Sequence, residues 1–375
     1  MIVERRFAKR IDYGMIALVL ALFGVGCVAI YSATRSIVPT DPFYLVKRQL
    51  MWGGVSFFAF CFMMFTDYRV WQKWALVIYV VNMLLLLGVL FTARVIGGSQ
   101  RWYRIGGIGI QPSEFAKLAV IITVARFLQQ RDARDPKVLL GTFVCVLPPM
   151  ALILRQPDLG TALVFIVVVI GMLFLAGAQM KHLALIMGVG CLLVVVFTVA
   201  SLQGWIHILD EYQLKRILVF LDPWEDPTDA GWNVIQSMIA VGSGGLRGKG
   251  YLNGSQHQLS FLPSQYTDFI FSVIGEEFGF IGAICLLCLF LGLFWHLIRT
   301  VACASDRFGF LLSGGVLFMV SFHVLINIAM TIGLAPVTGI PLPFITYGGS
   351  SLLTNMLGLG IAASVYMRRD KLMLN

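Results

Sequence analysis

The chain has 375 residues, 58% of them hydrophobic and only 13% charged, with a formal net charge of +9. Soluble domains run to about half apolar and about a quarter charged residues, so this composition excludes a water-soluble enzyme, and equally disorder, a collagen-like repeat or a disulfide-stapled secreted module. The apolar surplus, 28 Phe among it, needs lipid as its solvent.

A membrane-crossing helix needs about 20 predominantly apolar residues. Ten runs qualify, near 13 to 33, 50 to 66, 75 to 93, 114 to 129, 138 to 154, 159 to 177, 183 to 202, 269 to 298, 309 to 331 and 350 to 367. The first follows Arg5, Arg6, Lys9 and Arg10 without a small-residue cleavage site, so it reads as a retained anchor. The expected fold is an all-α polytopic membrane protein of about ten transmembrane helices, a single membrane domain over residues 1–375. A large loop, about 203 to 268, separates spans 7 and 8.

With both termini cytoplasmic, the inside segments carry 16 Lys and Arg, from the N-terminal four through Arg131, Arg134 and Lys137 to Arg368, Arg369 and Lys371. The outside segments carry fewer over about twice the length, so the basic bias sets this orientation and puts the large loop outside. The positive charge is therefore topogenic. No nucleic-acid partner is expected, since no basic helix or aromatic–basic repeat accompanies it. The seven cysteines lie in or beside apolar runs, and Cys285 and Cys288 lack a second ligand pair, so helix packing explains them.

The outside loops differ in kind. The segment near 94 to 113 is dense in Gly, Arg and aromatics, among them Gly97, Gly98, Arg101 and Trp102. The large loop contains an amphipathic or re-entrant piece, Trp232 to Val241, and a loop so long yet rich in aromatics and Gly reads as functional. The last, Gly333 to Gly349, carries Pro336, Pro341 and Pro343 before Tyr347-Gly348-Gly349-Ser350-Ser351, which predicts rigid backbone dipping toward the membrane surface.

An ionisable residue at membrane depth costs about 2.5 to 3.5 kcal/mol on insertion scales, which makes each one a candidate site residue. Gln111-Pro112-Ser113-Glu114-Phe115-Ala116-Lys117 opens the fourth span. Pro112 suits the helix start, Ser113 or Gln111 could cap it, and Glu114 and Lys117 fall at i, i+3, either as a self-neutralising pair or as part of a site. Asp158 stands where a helix N-terminus favours a carboxylate. Asp268 marks the mouth of the eighth span, with Thr267 competing for any capping role. Glu276 and Glu277 lie about two turns deeper, where capping cannot explain them and internal partners are required. In the loop before them, Lys215, Arg216 and the basic Gly242–Gly250 stretch suggest an anion cradle built from backbone N–H groups. It is not a nucleotide-binding P-loop, because Ser243 stands at the first Gly position and Gly250 at the Ser/Thr position. His182, His207, His257, His296 and His323 show no metal spacing and read as structural or interfacial.

Taken together, these motifs resemble the SEDS family of RodA- and FtsW-type proteins across essentially the whole chain. The resemblance rests on Gln111 to Lys117, on Gln156-Pro157-Asp158-Leu159-Gly160-Thr161-Ala162, and on Arg216 with Phe220-Leu221-Asp222-Pro223. It rests further on Leu262-Pro263 with Thr267-Asp268-Phe269, and on Gly339-Ile340-Pro341-Leu342-Pro343-Phe344 with Tyr347 to Ser351. The short tails and loop wording look more like RodA than FtsW. Departures occur at Ser264-Gln265-Tyr266, at His323, where the family commonly has Gln four residues before Asn327, and at Thr346 in place of Ser.

The resemblance implies a peptidoglycan glycosyltransferase that polymerises lipid II at the outer face of the bacterial cytoplasmic membrane, for elongation and rod shape, with undecaprenyl pyrophosphate as leaving group. It implies Asp268 as the base for the acceptor hydroxyl. Arg101, Lys117 and Arg216 become phosphate and loop-positioning charges, oriented by Glu114 and Asp158. Glu276, Glu277, Asn327, Ser350 and Ser351 complete the expected substrate-binding set. No cofactor is required by the motifs. A divalent cation, Mg2+ or Mn2+, bridging Asp268 and pyrophosphate remains an expectation that no ligand cluster marks. The implied partner is a single-span class B penicillin-binding protein acting as transpeptidase. Two competing readings are a lipid II flippase and a non-catalytic scaffold for that synthase.

Overall fold

The computed structural model describes residues 10–35, 41–92, 101–105, 108–203, 211–228, 231–259 and 261–369. Arg5, Arg6, Lys9, Gly97, Gly98, His207 and Lys371, all used in the sequence reading, lie outside them. Seven long helices come first: α1 (Tyr13–Thr34), α2 (Tyr44–Phe65), α3 (Tyr68–Thr92), α4 (Pro112–Leu128), α5 (Pro136–Leu154), α6 (Leu159–Leu175) and α7 (Met180–Leu202). The long connection holds three shorter ones, α8 (Glu211–Leu221), α9 (Trp232–Ser243) and α10 (Ser255–Gln258). Three more long helices follow, α11 (Ile270–Ala302), α12 (Arg307–Thr331) and α13 (Gly349–Met367). The ten long helices coincide with the ten apolar runs, and α9 with the amphipathic piece.

The chain is a multi-pass membrane protein. Among the described residues, seven helices are long and apolar enough to cross a bilayer by length and composition alone. The three that fall short, α2, α4 and α6, do so for physical reasons. Helix α2 begins with Lys47 and Arg48, whereas α4 and α6 have 17 residues each and bury most of them against other helices. A helix sheathed in protein does not need the length or apolarity that lipid contact demands. Aspartates start several spans: Asp12, Asp135, Asp158 and Asp306 accept from the N–H groups of Met15, Lys137, Thr161 and Gly309 at 3.1, 2.9, 3.1 and 2.7 Å.

Short connections make successive spans antiparallel, so the ends of α1, α3, α5 and α12 meet the starts of α2, α4, α6, α11 and α13 at one end of the bundle. Cross-links confirm the arrangement there. Gln49 Nε2 donates to the Thr346 carbonyl (3.3 Å), and Gln156 Nε2 to the Leu86 carbonyl (3.2 Å). The sequence reading missed one feature at this end. Residues before α4 form a small antiparallel hairpin, β1 (Tyr103–Ile105) with β2 (Ile108–Ile110), in the register Tyr103 to Ile110 and Arg104 to Gly109.

Helix α11 is broken at Gly279, whose φ of 62° and ψ of −160° leave helical space. Beside the break, the Gly-rich stretch before α10 pairs with two of the helix's carbonyls and two of its N–H groups. Lys249 N and Gly250 N donate to the carbonyls of Glu276 and Glu277 (both 3.0 Å), while Phe280 N and Ile281 N donate to Gly245 and Leu246 (2.9 and 3.1 Å). A Cβ on Gly279 would stand 2.3 Å from Gly248 N, and one on Gly248 would stand 2.0 Å from the Glu277 carbonyl, so both must be glycine. The predicted anion cradle is thus corrected: the N–H groups of Lys249 and Gly250 serve the helix break, because an unpaired backbone group costs more inside a membrane protein than in water.

Candidate active site

A cavity of about 210 Å³ opens at this end of the bundle, walled by the first turns of α4, α6 and α13, the middle of α12, the hairpin segment and the loops at 267–268 and 339–348. It gathers seven of the eleven sequence-derived site residues: Arg101, Glu114, Lys117, Asp158, Asp268, Ser350 and Ser351.

Asp158 does more than cap α6. Its carboxylate accepts from Thr161 N and Oγ1 (3.1 and 3.0 Å), and also from Gln111 Nε2 (3.2 Å) and Ser113 Oγ (3.3 Å) on the neighbouring helix start. Gln111 occupies the N-cap position of α4 as expected, but neither its side chain nor that of Ser113 makes a capping bond, because both are drawn to this carboxylate. Arg101 lies 4.0 Å from Asp158 Oδ1, but its Nε donates to the Gln156 carbonyl (2.7 Å) and an Nη to that of Pro157. Its first task is therefore to hold the strained turn before α6, where Pro157 has a φ of 20°.

One turn into α4, Lys117 Nζ pairs with Glu114 Oε1 at 2.8 Å. The same ammonium stands 2.9 Å from Nε2 of His323 on α12. This histidine, read from sequence as structural, lines the cavity. The signal that could have found it is arithmetic: a lysine at that depth has three donors, and a single same-helix carboxylate leaves two unspent.

Asp268 caps nothing, since the N-cap of α11 is Phe269, and Thr267 spends its hydroxyl on the Ser264 carbonyl (3.1 Å). The half-buried Asp268 carboxyl is left facing the cavity. Burial pushes its pKa above the ordinary value for Asp, and the Arg216 guanidinium, reaching in from α8, pulls it back down. Its backbone is fixed from α12: Asn327 Nδ2 donates both to the Asp268 carbonyl (3.0 Å) and to the Ile340 carbonyl (2.8 Å). Asn327 is therefore a strut between two cavity loops rather than a cavity-lining contact. Thr346 adds a second strut, accepting from Leu342 N (2.8 Å) and donating to the Thr267 carbonyl (3.2 Å). Ser350 ties the hairpin to α13, accepting from Gln111 N (3.2 Å) and donating to the Gly109 carbonyl (3.3 Å).

Glu276 and Glu277, expected to bind substrate, stand away from the cavity and are committed to the seam beside the α11 break. Glu276 Oε1 accepts from Lys249 Nζ (2.7 Å), Gln256 N (3.0 Å) and Ser255 Oγ (3.2 Å). Glu277 Oε1 accepts from Leu252 N (2.9 Å) and from the Ser32 hydroxyl. The internal partners they require exist, and those partners are protein. Among the described residues no three carboxylate, imidazole or thiolate groups converge.

A polytopic helical bundle with a charged cavity at one end, closed by Pro/Gly-rich loops, defines the class. The family described as "FTSW_RODA_SPOVE: Cell cycle protein" matches residues 13–371. The chain belongs to this family. It is 38% identical over 367 residues to the probable peptidoglycan glycosyltransferase FtsW of Geobacter sp. (strain M18), covering 94% of this chain and 95% of the relative. It is 37% identical over 365 residues to the peptidoglycan glycosyltransferase MrdB of Escherichia coli (strain K12), covering 96% and 95%. A solved chain from a peptidoglycan synthase complex that coordinates polymerization and crosslinking superimposes with a TM-score of 0.81 at 30% identity, covering 96% of this chain and 99% of that one.

Proposed function

We propose that this chain is a peptidoglycan glycosyltransferase that polymerises lipid II, serving elongation and rod shape. The observation that carries the reading is one cavity lined both by an uncapped carboxyl of raised pKa, Asp268, and by a buried ammonium, Lys117. The deprotonated Asp268 takes the proton of the acceptor sugar hydroxyl as that oxygen bonds to the donor's anomeric carbon. The bond from that carbon to the pyrophosphate oxygen breaks, and the charge that develops on the leaving group is met by Lys117. Arg216 keeps enough of Asp268 ionised to act. Asp268 would be the residue to hold a divalent cation, which would supply further positive charge for the leaving pyrophosphate, since Mg2+ sites commonly combine one or two carboxylates with phosphate oxygens.

The density of Lys and Arg at the opposite end of the bundle supports a cavity facing outward from the bacterial cytoplasmic membrane. A cysteine at Asn253 should then react with an impermeant thiol reagent in intact spheroplasts, and one at Gln130 only after permeabilisation, in a background lacking the native cysteines. The likeness to a chain of a synthase complex supports a class B penicillin-binding protein as partner. A flippase reading has less support, because an alternating-access carrier places its charges near the midplane, whereas here they stand at helix starts.

The deciding experiment supplies lipid II in detergent micelles, with the partner synthase present and its own transglycosylation excluded. Glycan strands from the wild type and none from Asp268→Asn are expected. Lipid II left monomeric by the wild type would sink the reading and bring transport forward.

A further inference from the structure

His323 lines the cavity, and the proposed chemistry does not yet use it. It sits on α12, is 1% exposed, and faces Lys117 and Glu114 on α4, which are 3% and 4% exposed. Its Nδ1 donates to the Met319 carbonyl one turn back along its own helix. An imidazole carrying its proton on Nδ1 presents Nε2 as a lone pair. The 2.9 Å contact is therefore a bond donated by the Lys117 ammonium to His323.

An ammonium has three N–H donors in a tetrahedral fan. Glu114 takes one at 2.8 Å and His323 takes a second. Two acceptors on different helices fix the orientation of the third donor, which a single carboxylate on the same helix would leave free to rotate. All three side chains line the cavity. His323 contributes an acceptor without a charge, so it holds the ammonium in place without further cancelling the attraction that Lys117 has for an anion.

We infer that His323 is a positioning residue for Lys117, drawing the ammonium between α4 and α12 so that its remaining N–H points at a phosphate oxygen in the cavity. This rests on the glycosyltransferase reading and deepens it: the anion-binding donor is not Lys117 alone but a Glu114–Lys117–His323 relay anchored on the Met319 carbonyl.

The test uses two amides. A Gln side chain carries its oxygen about as far out as Nε2, while an Asn side chain reaches only as far as Nδ1. His323→Gln thus preserves an acceptor for Lys117, and His323→Asn preserves the bond to Met319 but loses Lys117. With lipid II titrated in micelles, His323→Gln is expected to stay within about twofold of wild-type kcat. His323→Asn should lose about tenfold or more, the size of a lost hydrogen bond to a charged group, with KM changed far less because the leaving-group charge grows in the transition state. A merely structural histidine would not separate the two amides. Equal losses in both variants, or none in His323→Asn, overturn the inference while an active wild type leaves the glycosyltransferase reading standing. An inactive wild type overturns both. Should His323→Asn fail to accumulate, His323→Gln decides alone, a tenfold loss counting against the proposal.

Discussion

Two clusters of buried charge at the same end of this protein look alike in sequence and are used in opposite ways. At the cavity, Glu114, Lys117 and Asp158 stand at helix starts, and the space between them is bounded by loops without being filled by them. At the α11 break, Glu276 and Glu277 also pair with a basic residue and a Gly-rich segment, but there the protein itself occupies the anion's partners: Lys249, the N–H groups of Leu252 and Gln256, and the hydroxyls of Ser255 and Ser32. A carboxylate engaged by donors of its own chain stabilises the fold; a charged cluster opening on a cavity keeps its capacity for a ligand. Acidic residues in membrane helices are thus sorted by what fills the space beside them, which sequence spacing alone does not reveal.

The comparison breaks if chemistry and stability fail to separate between the two clusters. Asp268→Asn is expected to cost about two to four orders of magnitude in glycan synthesis, with thermal unfolding close to wild type; a large drop in unfolding temperature would place it with the structural set. Glu276→Ala should do the reverse. Removing one partner of a buried pair costs about 3 kcal/mol, read as a lower unfolding temperature in detergent, while polymerisation per folded molecule stays near wild type at low temperature.

The difference sharpens with Arg216→Ala, expected to lower polymerisation most strongly on the acid side, where the fraction of base left ionised falls first. The sign follows from the charges. Burial raises the Asp268 pKa and Arg216 lowers it, so losing the guanidinium raises it further and moves the acid limb of kcat/KM to higher pH. An unmoved limb would detach Arg216 from the base. The smallest effect is expected for Ser113→Ala, which removes one of several donors to Asp158 and should cost about 1 kcal/mol or less in an unfolding titration.

Much of this was legible in the chain because lipid imposes simple rules. The ten runs became ten helices, and Trp232 to Val241 became α9, since a bilayer leaves a long apolar run little choice but to be helical. The hairpin was not legible: three-residue strands among glycines carry too short a period to register. The Gly242–Gly250 stretch was misread because glycine and lysine serve an anion and a broken helix equally well, and only the φ at Gly279 tells them apart. Arg101 was read as a phosphate or loop-positioning charge; it lines the cavity, and its donors to the Gln156 and Pro157 carbonyls depend on a fold of the 155–158 turn that spacing cannot give. His323 was read as structural or interfacial because a lone histidine on an apolar helix is more often inert.

Helix α7 carries a different consequence. It buries only Leu183 and Ala200 along 23 residues, and the next helix with described contacts to it, besides α6, is α8. At about 34 Å it is somewhat longer than the hydrocarbon core of about 30 Å. A span so lightly held by protein takes its tilt from bilayer thickness rather than from neighbouring side chains. Acyl-chain length therefore acts on this molecule unevenly: it leaves the helix that carries Glu114 and Lys117 clamped in the bundle, and it bears directly on the helix that leads into α8 and Arg216.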